Sequence, residues 1–258
     1  MDNIAIYDIN HIKNKIICAD CSSILPRLPD NCFDLVIADP PYLTTGEKWD
    51  QEEIFSSKLV EELYRVLKDT GSIYVWCGIG EKSQSLIRWF PLLKEYFYFK
   101  DLITWKKQRG IGMRKGWLYT REEILWFAKD NKSFIWNKEN QYSTSDKRAF
   151  TISKWKGKMK GGEYKRLTNV WDDIMEYQMG TSPQKGSDRK LQIQHHTPKP
   201  LEAMERIILL HTNSESIILD PFIGSGTTGV ACKNLNRSFV GIEINKEYCK
   251  LARERIDA

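Results

Sequence analysis

The sequence predicts an α/β fold, a doubly wound and mostly parallel sheet, on three observations. Four short apolar runs each finish in an acid: KIICAD at Asp20, FDLVIAD at Asp39, SIILD at Asp220 and FVGIE at Glu243. Unbroken apolar runs of this length suit strands buried on both faces, the condition inside a parallel sheet. Amphipathic helical patterns lie between the runs, and that alternation is the signature of a wound sheet. Ligands in such sheets bind at the carboxyl ends of the strands, so four acids at four such ends point to one crevice.

The elements follow in order. FSSKLVEELYRVLKD places Leu59, Leu63, Val66 and Leu67 on one helical face, and Gly71 is the expected stop. FYFKDLITWKK and EEILWFAKD read as two further strands. Between them QRGIGMRKGWLYT mixes three basic residues with three glycines and reads as a basic loop. From about Asn131 to Gln192 the periodicity fades, while Lys, Arg, Trp and Tyr interleave. The aromatic content argues for an inserted subdomain rather than disorder. PLEAMERIILLH and NKEYCKLARERI are amphipathic helices near the end of the chain. The expected division is 1–130, an insert at 131–192, and 193–258 returning to the first unit.

The 258 residues carry a net charge of +5, and the basic excess is concentrated. Between Lys100 and Lys190, Lys and Arg outnumber Asp and Glu 21 to 11, whereas the remainder is mildly acidic. A basic middle suits a polyanion, although a solvated lysine-rich surface has the same composition. No apolar run is long enough to span a bilayer. The opening MDNIAIYDIN lacks a basic region before an apolar core, so no signal peptide is expected and the default location is cytoplasmic. Cys18 and Cys21 form one C-x-x-C without a second pair or a nearby His. Reduced cysteines in or near the core are the expectation, not a zinc site.

Two motifs carry chemistry. DPFIGSGTTG, residues 220–229, follows a strand and opens a helix. Gly224 and Gly226 permit a tight turn and close approach to a ligand, and the following helix start has free amide N–H groups. No Gly-Lys-Ser/Thr follows, so this is not a phosphate-binding P-loop. Glu243 ends the next strand, where an acid can accept hydrogen bonds from ribose hydroxyls. The other motif is Asp39-Pro40-Pro41-Tyr42, a carboxylate, two rigid residues and an aromatic ring at the end of a buried strand.

Asp-Pro-Pro-Tyr together with Asp-Pro-Phe-x-Gly-x-Gly-Thr resembles the amino-methyltransferases of DNA. The order, with the catalytic motif before the basic insert and the glycine motif last, is similar to the circularly permuted β class, including short members from restriction–modification systems. LITWKK, TREEILWFAK and HHTPKPLEAMERII extend the resemblance over nearly the whole chain. One departure is His196, where the family usually has Pro.

The resemblance implies an S-adenosylmethionine-dependent methyltransferase fold acting on double-stranded DNA. The methyl acceptor would be the exocyclic amine of a flipped base. Adenine N6 is favoured because Asp rather than Ser begins the catalytic motif. Cytosine N4, action on RNA, and a catalytically silent nucleic-acid-binding relative are the alternatives. Asp39 and the Pro40 carbonyl would accept the two amine N–H bonds and free the nitrogen lone pair, with Pro41 fixing the turn and Tyr42 stacking on the base. No metal is needed. Asp220, Phe222, Gly224, Ser225, Gly226 and Thr227 would hold the methionine part of the cofactor. Glu243 would bind its ribose, Asp20 would face its adenine amine, and Lys199 would meet its carboxylate. Trp49 and Asp50 match a pair that shapes the pocket lip, or Trp49 is simply buried packing. Arg109, Arg114, Arg148, Lys156 and Arg166 are the candidate DNA contacts. A homodimer and a cognate restriction endonuclease are possible partners.

Overall fold

The computed structural model describes residues 6–44, 53–111, 115, 117–147, 164–176 and 198–258. In chain order the helices are α1 (Ile9–Ile12), α2 (Cys21–Ile24), α3 (Ser57–Val66), α4 (Ser85–Tyr96), α5 (Leu201–His211), α6 (Thr227–Asn234) and α7 (Lys246–Asp257). The strands are β1 (Lys15–Cys18), β2 (Phe33–Ala38), β3 (Leu67–Cys77), β4 (Tyr98–Ile111), β5 (Tyr119–Ala128), β6 (Tyr142–Lys147), β7 (Tyr164–Arg166), β8 (Val170–Trp171), β9 (Ile217–Asp220) and β10 (Ser238–Glu243).

One sheet of eight strands runs in the order β1-β10-β9-β2-β3-β5-β4-β8. The first five are mutually parallel, and β5 is antiparallel to both β3 and β4. The late strands β9 and β10 therefore sit between β1 and β2. Two stretches far apart in sequence become neighbours by this wiring.

Alternation along β2 sends Val36 and Ala38 to one face, with Leu63, Val66 and Trp89 of α3 and α4. Leu35 and Ile37 go to the other face, with Ile207, Ala231 and Ala252 of α5, α6 and α7. All six residues of β2 are buried, as its unbroken apolar run predicts. Its one acid, Asp34, accepts the Ile217 N–H at 2.8 Å and pairs with Lys68 at 2.9 Å, tying β2 to the start of β9.

Three readings need correction. The first helix past the catalytic motif stops at Val66, not at Gly71, because Leu67 already pairs with Phe33 as the first residue of β3. The basic loop is shorter than expected: β4 continues to Ile111, which pairs with Tyr119 of β5. Cys18 is exposed on edge strand β1, whereas Cys21, Cys77, Cys232 and Cys249 are buried and Cys32 is half-buried.

Parts of the 131–192 stretch pack on the main body. β8 extends the large sheet beside β4, and the Trp105 indole N–H donates to the Ile174 carbonyl at 3.0 Å. His211, at the end of α5, lies between the Tyr74 hydroxyl at 2.7 Å and the Ile135 carbonyl at 2.8 Å. Burial pushes its pKa down to about 3, so this imidazole is a neutral structural link. Among the described residues no helix is long and apolar enough to cross a membrane.

Candidate active site

The carboxyl ends of the parallel strands bring the predicted acids to one edge. Cys18 is level with Glu243 in the β1–β10 ladder, and Gly241 is level with Asp220 in the β10–β9 ladder. Val36 is level with Leu219, so Asp39 follows β2 beside the end of β9. Asp39 is near enough to Asp220 for its charge to help raise the Asp220 pKa.

The glycine motif folds as a hydrogen-bonded turn. Buried Asp220 accepts the Phe222 N–H at 3.0 Å through Oδ1 and the Thr228 hydroxyl through Oδ2. Gly224 and Gly226 have φ of +50° and +86°, in the left-handed region where a β-carbon is disfavoured. A β-carbon at Gly226 would also lie 2.9 Å from that of Ala252, so α6 and α7 require glycine there. The Gly224 N–H donates to Glu243 Oε2 at 3.0 Å and the Asn245 N–H to Oε1 at 2.7 Å. Each carboxylate oxygen has a second lone pair for an incoming hydroxyl. Ser225 points elsewhere: its carbonyl and hydroxyl accept from Arg255 of α7 at 2.6 and 3.2 Å. Thr227 is buried at the first position of α6. Asp20 caps α2, accepting the Ser22 N–H at 2.8 Å.

In the other motif Pro40 is buried, while Asp39, Pro41 and Tyr42 are half-buried. The Tyr42 hydroxyl donates to Asp39 Oδ1 at 2.8 Å, and its ring tilts against Trp89 with centroids 5.9 Å apart. Leu43 then turns the chain at φ +61°, a conformation that costs a branched residue about 1–3 kcal/mol. Such strain persists where the surroundings over-determine the turn, as this proline-braced motif does.

Lys199, expected at the cofactor carboxylate, is buried beside the catalytic motif. Its ammonium lies 3.0 Å from Asp39 Oδ1 and 3.1 Å from Glu122 Oε2. Glu122 also pairs with Lys107. Sequence reasoning passed over both. The available signal was the pair of acids opening the apolar run EEILWF, since a buried acid needs a buried cation. Trp49, Asp50, Arg114, Arg148 and Lys156 lie outside the described residues. Arg109 falls on β4, and Arg166 is exposed at the end of β7.

Burial raises the pKa of Asp39, Asp220 and Glu243 alike, that of Asp220 to about 7. Three desolvated acids beside a left-handed glycine turn favour a ligand carrying positive charge, hydroxyls and hydrogen-bonding groups. A sulfonium nucleoside with an amino-acid tail meets that description. Among the described residues no group of acids, His and Cys is placed to hold a metal ion.

The family described as DNA methylase matches residues 33–254. This chain belongs to that family. It is 35% identical over 257 residues to the Type II methyltransferase M.HpaI of Haemophilus parainfluenzae, covering 96% of this chain and 75% of that one. It is 32% identical to the DNA adenine methyltransferase YhdJ of Escherichia coli strain K12, covering 94% and 82%. Among solved structures, the M1.HpyAVI–SAM complex superposes with a TM-score of 0.60 at 26% identity, covering 93% of this chain and 98% of that one. The cytosine-N4-specific PvuII DNA methyltransferase has a TM-score of 0.66 at 15% identity, covering 93% and 85%, and shares the fold. The family match spans both motifs and the whole basic middle.

Proposed function

We propose that this chain is a site-specific DNA methyltransferase that methylates the exocyclic N6 of an adenine flipped out of double-stranded DNA. The observation that carries the reading is the adjacency of Asp39 and Asp220 at the ends of neighbouring parallel strands. A methyl acceptor held at one and a methyl donor held at the other share one cleft. S-Adenosylmethionine, the molecule named in the M1.HpyAVI–SAM complex, would supply an activated methyl group on a sulfonium.

The chain's own residues divide the work. Asp220, Phe222, Gly224, Gly226 and Thr227 hold the methionine part, Glu243 the ribose and Asp20 the adenine amine. Glu243 is oriented for this by the two backbone N–H groups it already accepts. Ser225 belongs to the same turn, which its bonds from Arg255 brace. Asp39 and the Pro40 carbonyl accept the two N–H bonds of the target amine. That draws the nitrogen towards tetrahedral geometry and releases its lone pair to bond carbon as the carbon–sulfur bond breaks. The transfer would leave a neutral thioether, and the surplus N–H proton passes to the Asp39 carboxylate and on to solvent. Pro40 and Pro41 fix φ, so the two acceptors do not have to be ordered at the moment of transfer. Tyr42 stacks on the base, and its hydroxyl is already anchored on Asp39.

Residues 131–192 form the target-recognition region, with the basic residues on phosphates first and base edges second. Adenine is supported by the Asp that begins the motif and by the likeness to YhdJ; cytosine N4 is the competing reading. The likeness to M.HpaI and M.BglII, both Type II methyltransferases, supports a cognate endonuclease, and a homodimer fits the same reading. The test is incubation with labelled cofactor and genomic DNA, followed by mapping of modified bases by single-molecule sequencing. N6-methyladenine at one recurring sequence is expected. N4-methylcytosine would replace the assigned base, and no DNA label would overturn the reading.

A further inference from the structure

Asp39 stands at the end of a buried row of alternating charge. Lys199, in the turn leading into α5, bridges it to Glu122, and Glu122 reaches Lys107 of β4. The Lys199 side chain is 8% exposed. The rings of Tyr42 and Trp76 close around it, their centroids 5.2 and 5.3 Å from the ammonium. Glu122 sits opposite Trp105 in the β4–β5 ladder, one step from the Cys77–Glu123 pair that ends β3. Its Oε2 accepts no directed hydrogen bond, and the Lys199 charge 3.1 Å away, together with that of Lys107, compensates the buried carboxylate.

Anchoring α5 to the sheet does not call for this arrangement. A buried ion pair is a poor stabiliser compared with apolar residues of the same volume. The geometry at Asp39 suggests another role. Tyr42 and Lys199 both engage Oδ1, and Oδ2 has no partner among the described residues.

Resting on the methyltransferase reading, we propose that Lys199 and Glu122 are positioning residues for methyl transfer. Glu122 holds the Lys199 ammonium, and Lys199 holds Asp39 by Oδ1 so that an ionised Oδ2 faces the target amine. Four groups from separate parts of the fold face Asp39: Lys199 before α5, Glu122 on β5, Tyr42 after β2 and Asp220 at the end of β9. Burial pushes the Asp39 pKa up and the Lys199 charge pulls it back, while the Glu122 charge pushes it up again. The two positioning residues therefore act on Asp39 with opposite sign, which a scaffold role does not require.

The experiment measures single-turnover transfer to DNA against pH for wild type, Lys199→Met, Lys199→Arg and Glu122→Gln. Cofactor affinity by calorimetry and thermal midpoints accompany it. Lys199→Met removes the cation, so the acid limb is expected to move up by about one to three pH units. Glu122→Gln removes a like charge, so the limb is expected to move down, with a lower plateau rate from the loosened Lys199. Lys199→Arg keeps the charge and is expected to leave the limb in place while the plateau falls. Cofactor affinity is expected to stay at the wild-type value in all three. Acid limbs that do not move, whatever the thermal midpoints do, would overturn the proposal. So would lost cofactor affinity with an unmoved limb, which would return Lys199 to the cofactor carboxylate. If Lys199→Met does not fold, the sign of the Glu122→Gln shift still decides. Wild-type protein without any transfer would sink the methyltransferase reading itself, whereas active wild type with unmoved limbs sinks only this proposal.

Discussion

Asp220 offers a test that needs neither DNA nor cofactor. It is 5% exposed, and its pKa is pushed from 3.8 to about 7. Burial is the largest cause. The Thr228 hydroxyl and the Phe222 amide pull it down, and the charges of Asp39 and Glu243 push it further up. An acid raised in this way holds its proton more tightly folded than unfolded. The fold carries no penalty below the unfolded value near 4 and loses stability as pH rises towards about 7, where the penalty levels off. A gap of about three units at ~1.4 kcal/mol each sets an upper bound of ~4 kcal/mol. Asp220→Asn abolishes this titration yet preserves both bonds, since Oδ1 can accept from Phe222 and Nδ2 can donate to Thr228. If half of the bound is realised, the gain is ~2 kcal/mol, or roughly 4–8 °C in thermal midpoint for a chain of this size. Scanning calorimetry of the cofactor-free protein would show equal midpoints for variant and wild type near pH 4. A gain should open as pH rises above about 4 and reach its full size near about pH 7. A variant no more stable than wild type at about pH 8, or a difference that does not grow with pH, would refute the reasoning.

Asp39→Ala should abolish methyl transfer and leave cofactor affinity nearly intact; substantial residual transfer in a single-turnover assay would remove Asp39 from the mechanism. Gly226→Ala places a β-carbon 2.9 Å from that of Ala252 at φ +86°, so a loss of about 1–3 kcal/mol in urea unfolding is expected, with weaker cofactor binding. Tyr74→Phe takes the partner from the buried His211 Nε2 and should cost about 1–3 kcal/mol in the same assay, with transfer by the folded fraction unchanged. DNA affinity should fall steeply and linearly on a log–log plot against salt, and a flat response would count against the basic insert as the docking surface.

The strands that were legible in the sequence are those buried on both faces and closed by an acid: β1, β2, β9 and β10. β3 was not, although it lies at the centre of the sheet. It leaves α3 without a turn at Leu67, and it ends in Cys77, so neither a loop nor an acid marks it. α4 was missed because Pro91 interrupts its pattern. The two motifs were legible because their residues act within a few positions of one another, as the Asp220–Phe222 and Asp39–Tyr42 bonds show. Lys199, Asp39 and Glu122 each stood in a recognisable segment, but nothing along the chain showed that the three meet.

Sequence alone determined the local facts: where strands are apolar on both faces, where a turn demands glycine, and which chemical groups each motif brings. Backbone dihedrals and side-chain periodicity are short-range, so they can be read along the chain. Tertiary structure decided which groups share a solvent-poor space. It set β9 and β10 between β1 and β2, pushed Asp220 to about 7, and gave the Lys199 ammonium to Asp39 and Glu122. Desolvation and Coulomb forces act across space, and no spacing along the sequence records them.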